Sequence, residues 1–479
     1  MSRKNLKLNY SYNVAYQVLT ILTPFITAPH ISRAFGPEGV GTYSYAESIV
    51  SYFALFAALG IPAYAQREIS YAQNDIKKRS EVFWNAKALS GITVSVALLL
   101  YLVFCAFQNS GNTIRLVLAY NLLNILLDVS VLYIGMEEFG IITLRNVVIK
   151  LINVIFILVF IDSREDLVLF ALGNAVIGVA SCLSLWPGVN KYIEKPNVKE
   201  VHPFRYLRPT IALFIPTIAI QVYTVLDKTM IGMITKDASE NGYYEQAIKL
   251  AKIVVVLVTS IDTVMLPRMG YFFRDGDKKR VDELTQNALR FTLFLGVPIC
   301  LGLMSVASHF VPWFYGTDFL KVADLLQILS FLVIAIGINS VTGGAYLIAT
   351  QQEKRYTKSV IIGALINFAL NSVLITRYQS VGASIASVIA ESSIAVVQLI
   401  MIRKDVNWPS AFLNSWKYYA AGICMVLFLG FEKMYLLPSV SSLICLVASG
   451  TAFYFFLLFI LKDSFFLKNV RNILSKIRR

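Results

Sequence analysis

The sequence predicts an all-α polytopic membrane protein of about 14 transmembrane helices, arranged as two six-helix parallel pseudo-repeats plus two C-terminal helices. Three observations support this fold class: the composition, the recurrence of apolar stretches, and a similarity between the two halves. Of the 479 residues, 57% are hydrophobic and only 15% are charged, and the mean hydropathy is +0.64. Apolar stretches of about twenty residues, the length that a helix needs to cross the hydrocarbon layer, recur along the whole chain.

Hydropathy places the candidate spans in order along the chain. They cover residues 9–33, 41–66, 84–107, 114–136, 141–161, 166–187, 209–234, 242–267, 287–312, 321–349, 358–376, 382–402, 414–432 and 437–461. The first span follows a short basic segment, but it is too long for the apolar region of a signal peptide and contains Pro24 and Pro29. We therefore expect it to be retained.

The basic residues predict the orientation of the spans. With the N-terminus in the cytoplasm, 31 of the 43 Lys and Arg lie in cytoplasmic segments, seven lie in outer loops and five lie within or beside spans. Such a bias is the positive-inside signal, and it predicts that both termini are cytoplasmic. The net charge of +14 is explained by this bias and by attraction to anionic lipid. It therefore does not indicate a nucleic-acid partner.

The residue inventory argues against other classes of function. The five Cys lie in separate apolar stretches and the three His are scattered, so neither set has the spacing of a metal site. No predicted outer loop is longer than about a dozen residues, which leaves no room for a large extramembrane catalytic domain. We therefore predict no enzyme activity, no cofactor and no resident metal.

An internal repeat divides the chain into lobes. Lys77-Lys78-Arg79 matches Lys278-Lys279-Arg280 at an offset of 201 residues, and Gly41, Tyr43 and Ala46 match Gly242, Tyr244 and Ala247 at the same offset. A repeat of six spans enters the membrane in the same sense twice, so we expect parallel lobes with a central cavity between them. The predicted domains are an N-terminal lobe at 1–200, a C-terminal lobe at 201–405, and two further helices with a basic tail at 406–479.

Polar side chains follow helical spacing inside several spans. Such stripes either join helices by hydrogen bonds or line a water-filled cavity, and ionisable groups at this depth favour the cavity. The predicted cavity groups are Arg33, Lys150, Lys228, Lys249, Lys252, Asn146, Asn153, Gln17 and Gln221. Lys150 and Lys252 lie near the middle of their spans, too deep to reach either interface easily. For any single one of these cations a structural ion pair remains an alternative. Glu245 could be the partner of Lys249, and Asp128 that of Lys150.

Acidic residues in the spans offset these cations. Those that could bind a coupling ion are Asp128, Asp262, Glu391 and Glu47. The residues do not decide between a proton gradient, a sodium gradient and the membrane potential as the source of energy.

The stretch RAFGPEGVGTYSYAES, from Arg33 to Ser48, joins the first two spans. We expect Gly36, Pro37, Gly39 and Gly41 to form an outer hinge, with Gly41 at the end of the turn. Arg33, Gly36 and Pro37 have no similar residue in the second copy. Two interpretations of Arg33 stay open: it holds a phosphate, or it extends to the outer lipid headgroups.

Two segments of the sequence resemble a known family. NYSYNVAYQVLTILTPFITAPHISRAFGPEGVGTYSYAES is similar to the opening segment of Wzx-type polysaccharide flippases, which belong to the multidrug/oligosaccharidyl-lipid/polysaccharide exporter superfamily. LDKTMIG, from Leu226 to Gly232, is similar as well. The resemblance extends over the whole chain and agrees with the arrangement of six, six and two spans.

The resemblance implies a flippase of the bacterial cytoplasmic (inner) membrane. Its substrate would be an undecaprenyl-diphosphate-linked oligosaccharide, moved from the cytoplasmic to the outer leaflet for capsule, O-antigen or exopolysaccharide assembly. The implied partners are this lipid-linked oligosaccharide, membrane lipids, and a polysaccharide polymerase with its chain-length machinery. A cationic cavity suits a diphosphate, and alternating access would expose it to each side in turn.

Two other functions compete with this prediction. A cation-coupled multidrug exporter of the same superfamily would need a cavity dominated by acids, and it typically has twelve spans. A membrane glycosyltransferase or polymerase would need an extramembrane catalytic motif, and the sequence shows none.

Overall fold

The computed structural model describes residues 6–107, 112–196, 201–436 and 439–468. Within these ranges, the structure does not describe the side chains of residues 6–18, 21, 112, 215–217, 219, 220, 222 and 223. The described residues form helices and connecting segments, with no strand in any of the four ranges. The all-α fold class is confirmed.

The chain divides into two compact units, and each has its own hydrophobic core. The first comprises Met1–Gly232 and Asp237–Gly242, and the second comprises Met233–Lys236 and Tyr243–Arg479. The domain boundaries predicted at residues 200 and 405 were based on the sequence repeat, and they stay a prediction.

Among the described residues, nine α-helices lie wholly or mainly in the first unit. They are α1 (Leu6–Ala58), α2 (Ile61–Tyr71), α3 (Ile76–Ala106), α4 (Asn112–Leu118), α5 (Tyr120–Leu127), α6 (Ser130–Gly135), α7 (Phe139–Phe160), α8 (Leu167–Leu183) and α9 (Leu207–Thr235). Short 3-10 helices cover Arg164–Asp166, Trp186–Lys191 and Pro203–Tyr206. Large buried side chains of this unit include Tyr101, Tyr133, Phe83, Leu118 and Leu122.

The remaining helices, apart from the first turn of α10, lie in the second unit. They are α10 (Ala238–Thr259), α11 (Asp262–Arg274), α12 (Lys278–Tyr315), α13 (Lys321–Leu329), α14 (Leu332–Asn339), α15 (Glu353–Ile402), α16 (Trp408–Leu413), α17 (Trp416–Lys433) and α18 (Val440–Ile460). A 3-10 helix covers Thr317–Phe319, and Ser340–Leu347 forms a π-helix.

The number of membrane crossings is only partly established. In the part of the chain that the structure describes, ten stretches are long and apolar enough to cross a membrane, and eleven if the bent pair of α10 and α11 is one span. Two of the ten, Leu22–Tyr71 and Glu353–Ile402, are 50 residues long. Leu22–Tyr71 is interrupted at Gly36 and again at Leu59 and Gly60, between α1 and α2. Glu353–Ile402 contains one non-helical residue, Gln379, at which two helices meet. The chain is a multi-pass membrane protein, and the count of fourteen stays a prediction.

The fourth predicted span is broken where a single helix was expected. Its residues form α4, α5 and α6, and Asp128 and Val129 separate the last two. The Lys87 ammonium donates hydrogen bonds to the carbonyl oxygens of Leu126, at 2.9 Å, and of Asp128. The Trp186 indole donates to the carbonyl of Leu127 at 2.8 Å. The break leaves these carbonyls without helical hydrogen-bond partners, and the two side chains supply donors in their place. In an apolar environment every backbone carbonyl needs such a partner.

The two basic clusters of the repeat lie in the same local structure. The Asp75 carboxylate caps α3 by accepting from the Lys78 backbone N–H at 3.0 Å, and Asp277 caps α12 by accepting from Arg280 N–H at 3.0 Å. Asp75 and Asp277 are 202 residues apart, whereas the basic clusters are 201 residues apart. The two clusters therefore differ by one residue in their position relative to the helix cap. Each carboxylate satisfies an N–H that has no partner within the helix.

The repeated glycines mark a close crossing of α1 and the first turn of α10, within the first unit. A Cβ on Gly41 would overlap the carbonyl oxygen of Ala238, and a Cβ on Gly242 would overlap that of Pro37. Gly41 lies inside helical residues, so its predicted position at the end of a turn was wrong. Pro37 and Ala238, 201 residues apart, take matching places in this crossing, so Pro37 does have a counterpart. Small residues at such positions let two backbones approach closely.

Candidate functional site

A stripe of polar side chains joins α1, α7 and α8 in the first unit. The Lys150 ammonium, on α7, donates to the Thr20 hydroxyl on α1. One turn further along α7, the Asn153 amide donates to the Asn174 side-chain oxygen on α8 at 2.8 Å, and Asn174 donates to the Phe170 carbonyl at 3.0 Å. This stripe holds a cation and two amides within apolar helices. It can bind a phosphate oxygen through the ammonium and sugar hydroxyls through the amides.

Arg145 extends the side of this stripe that faces α8, and sequence reasoning missed it. Its guanidinium donates to the Ser181 carbonyl at 3.2 Å and to the Ser181 hydroxyl at 3.1 Å. Arg145 precedes Asn153 by eight residues, a separation that returns to nearly the same face of a helix. Arg145 is one of the 31 basic residues assigned above to cytoplasmic segments, because it is near the start of its span. Its spacing from Asn153 was the signal that could have placed it.

Asp128 does not pair with Lys150, so that suggestion was wrong. Both carboxylate oxygens of Asp128 accept from Ser130, from its N–H at 2.9 Å and from its hydroxyl at 2.8 Å. They fix the short turn that separates α5 from α6. This arrangement assigns Asp128 to the break in the helix.

Other predicted residues of the first unit are placed individually. Asn146 and Lys228 are half-buried, whereas Gln221 and Arg33 are exposed. The Lys228 backbone carbonyl accepts from the Asn241 amide at 2.9 Å. The side chain of Gln17 lies outside the described residues. Binding roles for all of them stay predictions.

The hinge residues surround one backbone break. Gly36 has φ 63° and ψ 179°, a conformation that glycine adopts easily. The guanidinium of Arg164 lies 3.1 Å from the position that a Cβ on Gly36 would occupy, so a side chain there would crowd it. Pro37, Gly39 and Gly41 continue in helical residues beyond the break. The predicted turn is therefore one residue, and movement about it stays a prediction.

In the second unit, one predicted ion pair is present. The Lys249 ammonium lies 2.8 Å from the Glu245 carboxylate four residues earlier, which confirms the expected pairing. Glu245 is buried and Lys249 is half-exposed, so the pair neutralises a buried acid. Lys252 is exposed, on the same helix. The common cavity predicted for the cations of the two lobes stays a prediction.

Two of the four predicted ion-coupling acids lie beside the π-helix of the second unit. The Asp262 carboxylate accepts from the Ser340 hydroxyl through Oδ2, while its Oδ1 is buried and has no hydrogen-bond partner in the described residues. Glu391 accepts from the Asn339 amide at 2.6 Å. The fourth acid, Glu47, is half-buried in α1. Short π-helical segments occur often at functional sites, so Asp262 is the strongest of the four candidates.

Metal ligands are not grouped in this site. Across the ranges that the structure describes, no three residues among His, Cys, Asp and Glu are placed to hold one metal ion.

Comparison with known proteins identifies the family. The family model described as "Polysaccharide biosynthesis protein" matches residues 6–273, more than half of the chain. The chain belongs to this family. A second model, MatE, matches residues 212–373. Both matches agree with the resemblance to Wzx-type flippases that the opening segment indicated.

Individual relatives are distant but match over most of their length. A protein of Escherichia coli (strain K12) named "Putative O-antigen transporter" is 23% identical over 84% of this chain and 98% of its own length. The lipid II flippase MurJ of Bacillus subtilis (strain 168) is 22% identical over 86% of this chain and 85% of its own.

Solved structures support the same fold. The lipid II flippase MurJ in an inward closed conformation has a TM-score of 0.72 at 16% identity, covering 95% of this chain and 98% of that one. An inward-facing multidrug resistance transporter of the MATE family has a TM-score of 0.62 at 12% identity, covering 81% and 94%. At such identities, the likeness concerns the fold alone.

Proposed function

We propose that the chain is a flippase for lipid-linked saccharides in surface polysaccharide assembly. Family membership supports this class of transport, and relatives named as transporters and flippases support transport in place of enzyme catalysis. The observation that carries the proposal is the stripe of Arg145, Lys150 and Asn153 within apolar helices. Buried cations and amides are costly in a membrane unless they meet a polar substrate or a partner.

The finer proposal concerns the substrate and its direction. An undecaprenyl-diphosphate-linked oligosaccharide would be moved from the cytoplasmic to the outer leaflet of the bacterial inner membrane, with both termini of the chain in the cytoplasm. The diphosphate would meet Lys150, and sugar hydroxyls would meet Asn153 and Asn174. The polyprenyl chain stays in lipid, and alternating access exposes the polar groups to each leaflet in turn. A polymerase and its chain-length machinery would receive the product.

The test is direct. Full-length protein is reconstituted into liposomes with a fluorescent polyprenyl-diphosphate oligosaccharide, and the fraction accessible to an added quencher is followed over time. We expect accessibility to equilibrate far faster than in protein-free liposomes. Equal rates in both preparations would contradict the proposed function.

A multidrug exporter is the second candidate, because the MatE family model matches residues 212–373. A cationic drug requires acids along its path, whereas the polar stripe of the first unit carries Lys150 and Arg145. Efflux of a cationic dye from cells that produce the protein would distinguish the two. We expect no efflux above the background of cells without it.

Coupling to an ion gradient gives a separate prediction. Asp262→Asn keeps the shape and removes the charge, so we expect it to abolish the stimulation of flipping by an imposed proton or sodium gradient. Flipping without a gradient should continue at the basal rate. Asp318→Asn, in the exposed 3-10 helix Thr317–Phe319, is the matched control and should keep full stimulation. Stimulation that survives in Asp262→Asn would remove Asp262 from the coupling mechanism.

A further inference from the structure

A basic cleft lies between α11 and α12 in the second unit. Its volume is about 570 Å³, and two arginines, Arg268 and Arg280, lie on its walls. Pro267, Phe272 and Leu284 give it an apolar lining beside these cations. The cleft thus combines guanidinium groups with an apolar surface, a combination suited to the boundary between a lipid headgroup and its acyl chains.

The helix that carries Arg268 has the properties of an interfacial helix. α11 bends away from α10 by 40°. It exposes apolar side chains together with its basic ones: Val264 is 49% exposed, Tyr271 53% and Phe273 38%. Exposed apolar groups beside arginines are typical of helices that lie in the membrane interface, where tyrosine is also enriched. The positive-inside pattern predicts that this interface is the cytoplasmic one.

The charges around the cleft leave one guanidinium available. Arg268 has no ion pair or hydrogen bond among the described residues, whereas Arg280 lies 3.7 Å from Glu283 and over the ring of Phe272 at 5.7 Å. Asp277 is engaged as the cap of α12, and the Asp282 carboxylate accepts from the Asn407 N–H at 2.9 Å. Lys278 and Lys279 add two cations at the start of the same helix. The acids nearby therefore have partners of their own.

We propose that this cleft binds the phosphate of an anionic membrane phospholipid. Arg268 and Arg280 would donate to the phosphodiester oxygens, since a planar guanidinium matches phosphate geometry. Pro267, Phe272 and Leu284 would contact the first methylenes of the acyl chains. Such a lipid would hold α11 at the interface. The site is separate from the polar stripe of the first unit, so it stands independently of the proposed flippase function.

The first unit provides an internal comparison. Its corresponding helix, α2, also follows the second span of its repeat, and Pro62 there matches Pro267. The residue after Pro62 is Ala63, where the second unit has Arg268. Arg67 of α2 lies 3.0 Å from Glu68, so its charge is already paired. Arg268 therefore has no basic counterpart next to Pro62, and Arg67 offers a matched control.

The experiment is native mass spectrometry of the full-length protein in detergent, titrated with phosphatidylglycerol or with phosphatidylcholine of the same chains. We expect the wild type to bind phosphatidylglycerol more tightly. The variant Arg268→Ala/Arg280→Ala should bind it about tenfold more weakly, with a smaller loss for phosphatidylcholine, whose choline cation offsets the charge of its phosphate. Arg67→Ala should match the wild type. Arg268→Lys/Arg280→Lys should be intermediate, because it keeps the charge and loses the planar fork.

Three results would overturn the proposal. The first is equal affinity for phosphatidylglycerol in the double alanine variant and the wild type. The second is an equal loss in Arg67→Ala, which would indicate a general charge effect. The third is displacement of the lipid by millimolar inorganic phosphate, which would make free phosphate the ligand. An unchanged thermal midpoint shows that the variant is folded.

Discussion

Gly41→Leu is expected to prevent stable folding of the first unit. Any side chain at Gly41 would overlap the carbonyl oxygen of Ala238, so the two helices would have to separate along their crossing. Because the obstacle is backbone and cannot rotate away, we expect a loss of several kcal/mol in the free energy of unfolding, on the order of 4 kcal/mol or more. The measurement is the thermal midpoint of the detergent-solubilised protein, with the yield of monodisperse protein as a second readout.

Matched controls separate this crossing from a general effect of leucine in a membrane helix. Gly242→Leu should be as damaging, since a Cβ there would overlap the carbonyl of Pro37. Gly430→Leu, on the exposed face of α17, should leave the midpoint unchanged or raise it, because no atom lies within 4 Å of a Cβ at that position. A normal midpoint in Gly41→Leu would show that the crossing is not required.

The sequence located the members of this crossing but not their contact. The offset of 201 residues paired Gly41 with Gly242, and the short polar stretch around them was interpreted as a turn. In the structure, only Gly36 leaves the helical conformation, and the helix resumes at once. A cluster of Gly and Pro predicts turns and close helix approaches equally well, and only the three-dimensional arrangement distinguishes them.

Hydropathy found the helices but could not find the breaks inside them. A window of about twenty residues averages over the two residues that separate α5 from α6, and over the change to π-helix at Ser340. Lys87, which satisfies carbonyls at the first break, had only been placed within or beside a span. Its role depends on Leu126 and Asp128, about forty residues away, and no local pattern records such a contact.

For the polar stripe too, the sequence predicted the residues on one helix but not their partners on other helices. Helical spacing identified Lys150, Asn146 and Asn153 as one set on α7. Their partners Thr20 and Asn174, on α1 and α8, depend on how three helices pack. Arg145 was missed because it lies close to the predicted start of the span at residue 141. It was therefore assigned to the cytoplasmic segment and not compared with Asn153.

Lys150→Met is expected to reduce flipping at least tenfold while leaving the folded protein intact. Methionine has a similar length and no charge, so the substitution removes the ammonium with little change in packing. A charge in an apolar span is costly, and its removal should therefore leave the thermal midpoint unchanged or higher. The measurement compares initial rates of flipping in proteoliposomes with the midpoint of the same preparations.

The two readouts distinguish substrate binding from a structural role of Lys150. If Lys150 only joins α7 to α1 through Thr20, Lys150→Met and Thr20→Val should lower the midpoint together, and flipping should fall in proportion. If Lys150 binds the diphosphate, Lys150→Arg should keep a substantial part of the rate, because it keeps a donor cation. Lys354→Met, near the start of α15, is the control for loss of one positive charge and should flip at the wild-type rate. A wild-type rate in Lys150→Met would contradict the cationic mechanism, because no other described cation occupies its place between α1 and α7.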